Sequence, residues 1–416
     1  MPDDKKIARK EFITRCAGAA AAAGIGLGLG SGCSGTADSA PSSKGDQHSS
    51  QSQELQATSS QSPTFRKLGR PGIEVTEIGY GASRTMDPSL MNYAFEKGIN
   101  FFDTGRSYYN GQNEVVVGKV FKGRRQQIVI NSKVQPGSLE KMRSDLETSL
   151  KALQTDYIDC LLIHGASEPE HLYGDQALEL LETAREQGKI RTFGFSVHTG
   201  AFKLLSLAAE KGIHEVAMVP YNFLGAFTHM LGGSSAEWDA DDLEKKIVAC
   251  AGAGIDIIAM KACSGGYIKD DSGKNSYPAA LKWVLKNPHV KTTATAMGNF
   301  QQIEENMGAM GAQGALNRDD TRALEAYAAA YTREFCRMCG SCSGKCPSGV
   351  NVAEVNRLQM YAESYGGDMA VEAHGTYSSL GCGNAAACAD CRTCQVECPW
   401  GLALKPKLSR AHTLLS

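Results

Sequence analysis

The chain has 416 residues and fourteen cysteines, and eight of these fall into two copies of one spacing near the C-terminal end. Cys336, Cys339, Cys342 and Cys346 precede Pro347, and Cys388, Cys391, Cys394 and Cys398 precede Pro399. Both runs read Cys-x2-Cys-x2-Cys-x3-Cys-Pro. This is the bacterial spacing for a cubane [4Fe-4S] centre, and two copies imply two clusters. Three thiolates of one tight loop hold three irons. The chain turns away at the Pro, and the fourth Cys ligates the other cluster. The expected sets are therefore Cys336, Cys339, Cys342 and Cys398 for one cubane, and Cys388, Cys391, Cys394 and Cys346 for the other. A zinc ribbon takes four ligands in pairs, which leaves the second Cys-x2 step and the Cys-Pro surplus. A disulfide framework does not need this repeat, though an exported chain could form one.

The length allows two or three domains, and 42% hydrophobic residues support a large ordinary core. With 43 basic and 45 acidic residues the net charge is −2, which gives no ground for a nucleic-acid or anionic-membrane partner. Apolar runs are too short for a membrane-spanning bundle, so no transmembrane helix is expected in the mature chain.

Residues 1–33 read as an export signal. Lys5, Lys6, Arg9 and Lys10 precede a soft stretch of mostly Ala and Gly from Cys16 to Gly32. Arg9-Lys10-Glu11-Phe12-Ile13 resembles the bacterial twin-arginine signal, with Lys10 in place of the second Arg. That route carries folded proteins, so clusters could be inserted before transport. Gly30-Ser31-Gly32-Cys33 is similar to a lipoprotein cleavage site, with Gly30 where Leu is usual. Export with a lipid anchor on Cys33 and export without one both stay open. Gly24-Ile25-Gly26-Leu27-Gly28 is no dinucleotide fingerprint, because no strand precedes it and no acidic residue closes a βαβ unit. Residues 34–63, rich in Ser, Gln, Ala and Thr, cannot bury enough surface to order themselves and read as a flexible tether. The expected location is the periplasm or cell envelope.

From Phe65 to about Tyr331 strand-like and helix-like segments alternate. Eight β-rich runs stand out: Val75 to Gly79, Ile99 to Thr104, Gln127 to Lys133, Tyr157 to His164, Ile190 to Ser196, Glu215 to Pro220, Ile255 to Lys261, and Lys291 to Ala296. Amphipathic stretches separate them. Ser138 to Leu153 sets Leu139, Met142, Leu146, Leu150 and Leu153 on one face; Asp175 to Gln187 and Phe202 to Gly212 behave likewise, with Gly188 and Gly212 where helix stops belong. Eight such units in roughly 265 residues predict an α/β fold, a (β/α)8 barrel over residues 64–325. A doubly wound sheet is the second architecture, without a glycine fingerprint to support it.

Barrel chemistry sits at the C-terminal ends of the strands. The second strand ends at Asp103-Thr104 with Tyr108 shortly after, the third at Lys133, the fourth at His164. Each has an ordinary structural explanation alone: a capping Asp, a snorkelling Lys, a strand-end His bonded to backbone. Four titratable groups at the ends of three successive strands are better explained as a site.

Phe102-Asp103-Thr104-Gly105-Arg106-Ser107-Tyr108, Ser132-Lys133 and His164 resemble the catalytic tetrad of the aldo/keto reductases. The similarity covers about residues 65–312 and continues in Gly194-Phe195-Ser196, Tyr221-Asn222, Ala280 to Leu285, and Glu305-Asn306. With the C-terminal cysteines and the export signal, the chain is similar to the iron–sulfur branch of that family. The resemblance implies hydride transfer between NAD(P)H at the barrel mouth and a small-molecule carbonyl or alcohol. It implies Tyr108 as proton donor, with Lys133 lowering its pKa, Asp103 holding Lys133, and His164 orienting the carbonyl oxygen. Cofactor contacts are implied for Ser196 at the carboxamide, Tyr221 stacked on the nicotinamide, and Gly298, Asn299, Gln302, Glu305 and Asn306, with Met297, at the pyrophosphate and adenosine. Val197 and His198 replace the usual Asn after Ser196. Gly298-Asn299-Phe300 carries no basic residue for a 2′-phosphate, so NAD and NADP both stay open. Gly165 replaces the Trp that commonly follows the His.

Of the remaining cysteines, Cys160 and Cys250 read as core, Cys382 as a loop thiol, and Cys263 lies after the seventh strand near the mouth. Residues 326–416 are expected to form a mainly helical module, with Val352 to Glu363 and Met369 to Ala373 as helices. It resembles the all-helical ferredoxin module that docks on redox enzymes. Val350 and Trp400 would pack near the cubanes and exclude water. Two functions follow. One is a reductase whose clusters exchange electrons with a redox protein partner. The other is an exported electron-transfer component whose barrel no longer turns over nicotinamide.

Overall fold

The fold is taken from a computed structural model that describes residues 62–198, 201–224, 240–263, 277–311, 316–336, 341–364 and 367–416. The expected export signal with Cys16 and Cys33, the tether up to residue 61, and Cys339 lie outside the described residues. No described helix is long and apolar enough to cross a membrane.

Ten strands are described: β1 (Phe65–Leu68), β2 (Ile73–Thr76), β3 (Ile78–Gly81), β4 (Phe101–Asp103), β5 (Val129–Val134), β6 (Ile158–Ala166), β7 (Ile190–Val197), β8 (Val216–Pro220), β9 (Asp256–Met260) and β10 (Val290–Thr295). Strands β3 to β10 close into a parallel barrel, with β10 hydrogen-bonded to β3. Around it run α1 (Pro88–Glu96), α2 (Gln112–Val120), α3 (Leu139–Leu153), α4 (Pro169–Tyr173), α5 (Asp175–Glu186), α6 (Ala201–Lys211), α7 (Ala240–Gly252), α8 (Tyr277–Leu285), α9 (Phe300–Met307) and α10 (Arg318–Glu334). The C-terminal part adds α11 (Val352–Ser364), α12 (Gly367–Ser379) and α13 (Leu404–Leu415).

The helices form where the apolar period requires them. Helix α3 starts at Ser138, whose hydroxyl accepts from the Lys141 amide, and it buries Met142, Leu146, Leu150 and Leu153 against the barrel. Gly188 and Gly212 end α5 and α6 in the left-handed region, as helix stops do.

One expected strand is corrected. Val75 to Gly79 is two strands, not one: the chain breaks at Glu77 between β2 and β3. Glu77 is buried there, accepting from the Thr64 hydroxyl at 2.5 Å and pairing with Arg66 at 2.7 Å. The antiparallel β1–β2 hairpin then puts Leu68, Ile73 and Val75 into one cluster with Phe101, Val129, Cys160, Leu162, Val216 and Ile258. These are inward residues of the barrel strands, so the hairpin plugs the N-terminal end of the barrel. Chemistry is left to the opposite mouth.

The expected boundary at residues 325/326 falls inside α10, which runs on to Glu334. Lys282 of α8 pairs with Asp320 of α10 at 3.0 Å, so this helix packs against the barrel. Beyond it, Val352, Val355 and Leu358 of α11 and Leu404, Leu408 and Leu415 of α13 build a second core. Helix α11 matches its expected span closely. Helix α12 is longer than Met369 to Ala373, because Tyr377 of its last turn is buried in this core and its hydroxyl accepts from the Ala385 amide at 3.0 Å.

Candidate active site

Period-two alternation along each barrel strand builds the site. Phe101 and Asp103, Val129, Asn131 and Lys133, and Cys160, Leu162 and His164 each share one face of their strand. The lower members of these rows lie in the plugging cluster, and the upper members reach the mouth. The inward rows therefore change from apolar to polar along the barrel axis.

Asp103 and Lys133 are both buried. Lys133 Nζ donates to Asp103 Oδ1 at 2.5 Å and to the Thr104 carbonyl at 2.6 Å. Asn131, opposite Asp103 in the β4–β5 register, donates its amide to Asp103 Oδ1 at 2.5 Å. The Lys133 ammonium also sits 4.6 Å from the centre of the Tyr108 ring, and the Tyr108 hydroxyl lies 3.5 Å from Asp103 Oδ2. The rings of Tyr108 and His164 are 5.9 Å apart, nearly edge to face. All four expected residues thus converge, with Tyr108 and His164 half-buried at the mouth.

One expectation about Tyr108 is corrected. Its pKa is not lowered but raised, to about 12. Burial contributes most and the Asp103 carboxylate adds to it; the Lys133 ammonium pulls the other way and is outweighed. Tyr108 is therefore a phenol, a proton donor, throughout the neutral range. Lys133 itself has its pKa raised: burial opposes the charge, but the Asp103 carboxylate more than restores it.

His164 is held neutral. Burial, and then the Lys133 charge, lower its pKa to about 3. Gln135 Nε2 lies 3.1 Å and Ser107 Oγ 3.2 Å from His164 Nδ1. An amide nitrogen only donates, so Nδ1 accepts and the ring carries its proton on Nε2, which makes Nε2 a donor. Gln135, Ser107 and Asn131 were missed in the sequence. The signal for two of them was there, since Asn131 and Gln135 flank Lys133 at two-residue spacing and share its face.

A pH dependence follows. Between about 3 and 6.5 the unfolded chain binds a proton at His164 that the folded chain does not, so stability falls as pH drops through that window. His214 adds the same sign, because burial lowers it to about 4. Thermal melts from pH 7 to pH 4 should show this fall, and His164→Asn should make it shallower. An unchanged slope in that variant would contradict the neutral-imidazole assignment.

The Tyr108 turn is held from two sides. The Thr104 and Arg106 amides donate to the Asn131 and Lys133 carbonyls at 2.8 and 3.0 Å, tying the loop to β5. Tyr109, Asn110 and Gly111 then take positive φ of 50°, 52° and 83° in succession. Two non-glycine residues in this region cost strain that the surroundings must hold. The Arg106 guanidinium lies over Gly111 and pairs with buried Glu114, whose other oxygen accepts from Ser132 Oγ at 2.7 Å. A Cβ on Gly111 would sit 1.3 Å from Arg106 Nη2. Gly111→Ala is expected to cost about 1–3 kcal/mol of stability by urea titration and to lower kcat, because Arg106 must leave its pair and the Tyr108 turn shifts. Wild-type kcat in that variant would show that the turn does not place Tyr108.

The expected cofactor residues divide. Ser196, at the top of β7, is buried and its hydroxyl accepts from the Gly165 amide at 2.9 Å, next to His164. Gly298 and Asn299 follow β10 at the mouth; the Gly298 amide donates to Gln302 at 2.7 Å, and Asn299 caps α9 by accepting from the Gln302 amide at 2.9 Å. Gln301 donates to Glu305 at 2.7 Å on the exposed side of α9. Asn306 is buried, and its Oδ1 makes no hydrogen bond within the described residues. Tyr221 departs from its expected role. It is only 2% exposed, its ring packs 5.1 Å from Trp283, and its hydroxyl bonds Glu244 of α7 and lies 3.4 Å from Asn287. Those partners belong to the helix layer, so this ring does not present a face to a ligand in the mouth.

Cys160 and Cys250 are core residues, and Cys382 is exposed. Burial raises Cys263 to about 12, which keeps it an unreactive thiol. In the C-terminal part, Cys336, Cys342, Cys346, Cys394 and Cys398 pack against the second core, and Cys388 belongs to it. The Cys388 thiol is raised by burial and by three neighbouring sulfurs, Cys346, Cys391 and Cys394. One cysteine of the first run therefore sits with three of the second. Phe335, beside Cys336, packs both on this core and on a barrel-side cluster of Leu224, Tyr277 and Tyr327. Among the described residues no three His, Cys, Asp or Glu side chains close around a single metal ion.

The Aldo/keto reductase family model matches residues 81–279. The chain is 30% identical over 148 residues to the uncharacterized oxidoreductase YqkF of Bacillus subtilis, a match that spans 32% of this chain and 48% of that protein. It is 25% identical to the probable aldo-keto reductase 1 of Glycine max, over 62% of this chain and 87% of the relative. The holo form of the aldo-keto reductase AKR11C1 from Bacillus halodurans superposes with a TM-score of 0.51 at 22% identity, covering 64% of this chain and 96% of that one. An eight-stranded parallel barrel with Asp103, Lys133, Tyr108 and His164 gathered at its mouth agrees with these likenesses, and over residues 81–279 the chain is similar to the oxidoreductases of the aldo/keto reductase family.

Proposed function

We propose that the barrel reduces a carbonyl, or oxidises the corresponding alcohol, with NAD(P)H, and that the C-terminal module carries two [4Fe-4S] clusters that exchange electrons with a redox protein. The observation that carries the first part is the assembly of the four side chains, three from adjacent strands and Tyr108 from the turn after β4. A nicotinamide supplies or takes the hydride when bound. Tyr108 gives the proton to the carbonyl oxygen, and Nε2–H of His164 donates a hydrogen bond to that oxygen and orients it. Lys133, fixed by Asp103 and Asn131, keeps a positive charge under the Tyr108 ring as negative charge develops on its oxygen. Ser196 and the bare acceptor of Asn306 suit amide and amino groups of a nucleotide.

The donor set supports the clusters. Cys346 with Cys388, Cys391 and Cys394 is the crossed four-thiolate set that the ferredoxin spacing implies, and half-burial against an apolar core suits a cubane. Cys336, Cys342 and Cys398, with Cys339, would hold the other. The N-terminal segment favours export to the periplasm or envelope, with or without a lipid on Cys33. One observation favours the second reading, an electron-transfer component without nicotinamide turnover: Tyr221 is committed to Glu244 and Trp283.

Anaerobically purified protein lacking residues 1–33 separates these readings. NADH and NADPH are titrated by nicotinamide fluorescence, and iron and sulfide are counted on the same sample. Binding with about eight irons supports the coupled reductase. Eight irons without nucleotide binding overturns it in favour of the electron-transfer component, and binding without iron removes the clusters.

A further inference from the structure

We propose that Lys405 positions the second cysteine loop and sets the reduction potential of its cluster; this rests on the cluster reading above. Lys405 lies in the first turn of α13, where a cation opposes the helix dipole and an acid would serve the helix better. Its Nζ instead donates to two carbonyls of one cysteine run, that of Cys388 at 3.1 Å and that of Cys391. Leu404 and Leu408, buried in the second core on either side of it, fix the helix. Gly401, at φ +79°, donates to the Cys398 carbonyl at 2.9 Å and turns the chain back so that α13 reaches this loop.

The consequence is electrostatic. Four thiolates around a cubane leave a net negative centre, and reduction adds one more charge. An ammonium bonded to the carbonyls of two ligands favours the reduced state and raises the potential; its removal lowers it. Among the described residues the Lys405 Nζ bonds go to Cys388 and Cys391 and not to the first cysteine run, so the other cluster should keep its potential.

The test is potentiometry followed by electron paramagnetic resonance on the full-length loaded protein, with iron counted first. Lys405→Gln keeps a donor without the charge, and Lys405→Arg keeps the charge. The expected result is a downward shift of one of two potentials in Lys405→Gln and its return in Lys405→Arg. Loss of that cluster in the Gln variant, with retention in the Arg variant, also supports the assignment. Two unchanged potentials in the Gln variant, or loss of the cluster in both variants, overturn it. Wild-type protein that binds no iron overturns this proposal and the cluster reading together, whereas full iron with unchanged potentials overturns this proposal alone.

Discussion

Tyr108→Phe should lower kcat/KM for carbonyl reduction by about two to four orders of magnitude while leaving the fold intact. The Tyr108 hydroxyl at the mouth has a proton available in the neutral range and lies adjacent to the charged pair. Its pKa near 12 keeps it protonated, and the Lys133 ammonium under the ring stabilises the phenolate that forms when the proton leaves. Removing the oxygen costs the fold little. Asp103 keeps its bonds from Lys133 and Asn131, so no buried charge loses its partner, and the half-buried Phe ring fills the same space. The melting temperature should therefore move little while activity collapses. Nucleotide affinity should also hold, because Tyr108 acts on the carbonyl. The measurement is steady-state kinetics with a panel of aldehydes and ketones beside a thermal melt. Activity within tenfold of wild type would remove Tyr108 from the proton-donor role, and equal losses of activity and stability would make it a structural residue.

The barrel was readable because each strand is a short β-rich run between amphipathic stretches, and seven of the eight expected runs overlap a barrel strand closely. The exception shows the limit of that signal. Val75 to Gly79 reads as one short β-rich run, but Glu77 at its centre makes long-range bonds to Thr64, Arg66 and Gly311 that no local pattern encodes. Asp103, Lys133 and His164 were legible because they end strands. Tyr108 was placed by resemblance, and the turn that aims it depends on three successive positive φ values and on Arg106 lying over Gly111. The direction of the Tyr108 shift was not legible either, because Lys133 is visible in the sequence and burial is not. Tyr221 failed for a related reason: at a strand end, one residue of phase decides whether a ring faces the mouth or the helix layer. The spacing of the two cysteine runs implies a crossed ligand set, and the iron count and potentiometry described above are its test.

Lys133→Met should be the most destabilising single change in the site, by about 3–5 kcal/mol. Lys133 and Asp103 are each almost fully buried, and a buried pair that loses one partner leaves the other charge without compensation. Asn131 still donates to Asp103, but a neutral amide does not replace an ammonium 2.5 Å away. The double variant Lys133→Met with Asp103→Leu should recover much of the loss, because two apolar side chains need no partner there. Both variants should be inactive, so stability and activity separate: the pair is retained for the charge it places under Tyr108, and its net worth to the fold is small. Urea titration of wild type, the single variant and the double variant closes the cycle. A single variant as stable as wild type would mean that Asp103 is solvated or protonated in the folded chain. A double variant no better than the single would mean that the loss came from packing around the Lys133 stem.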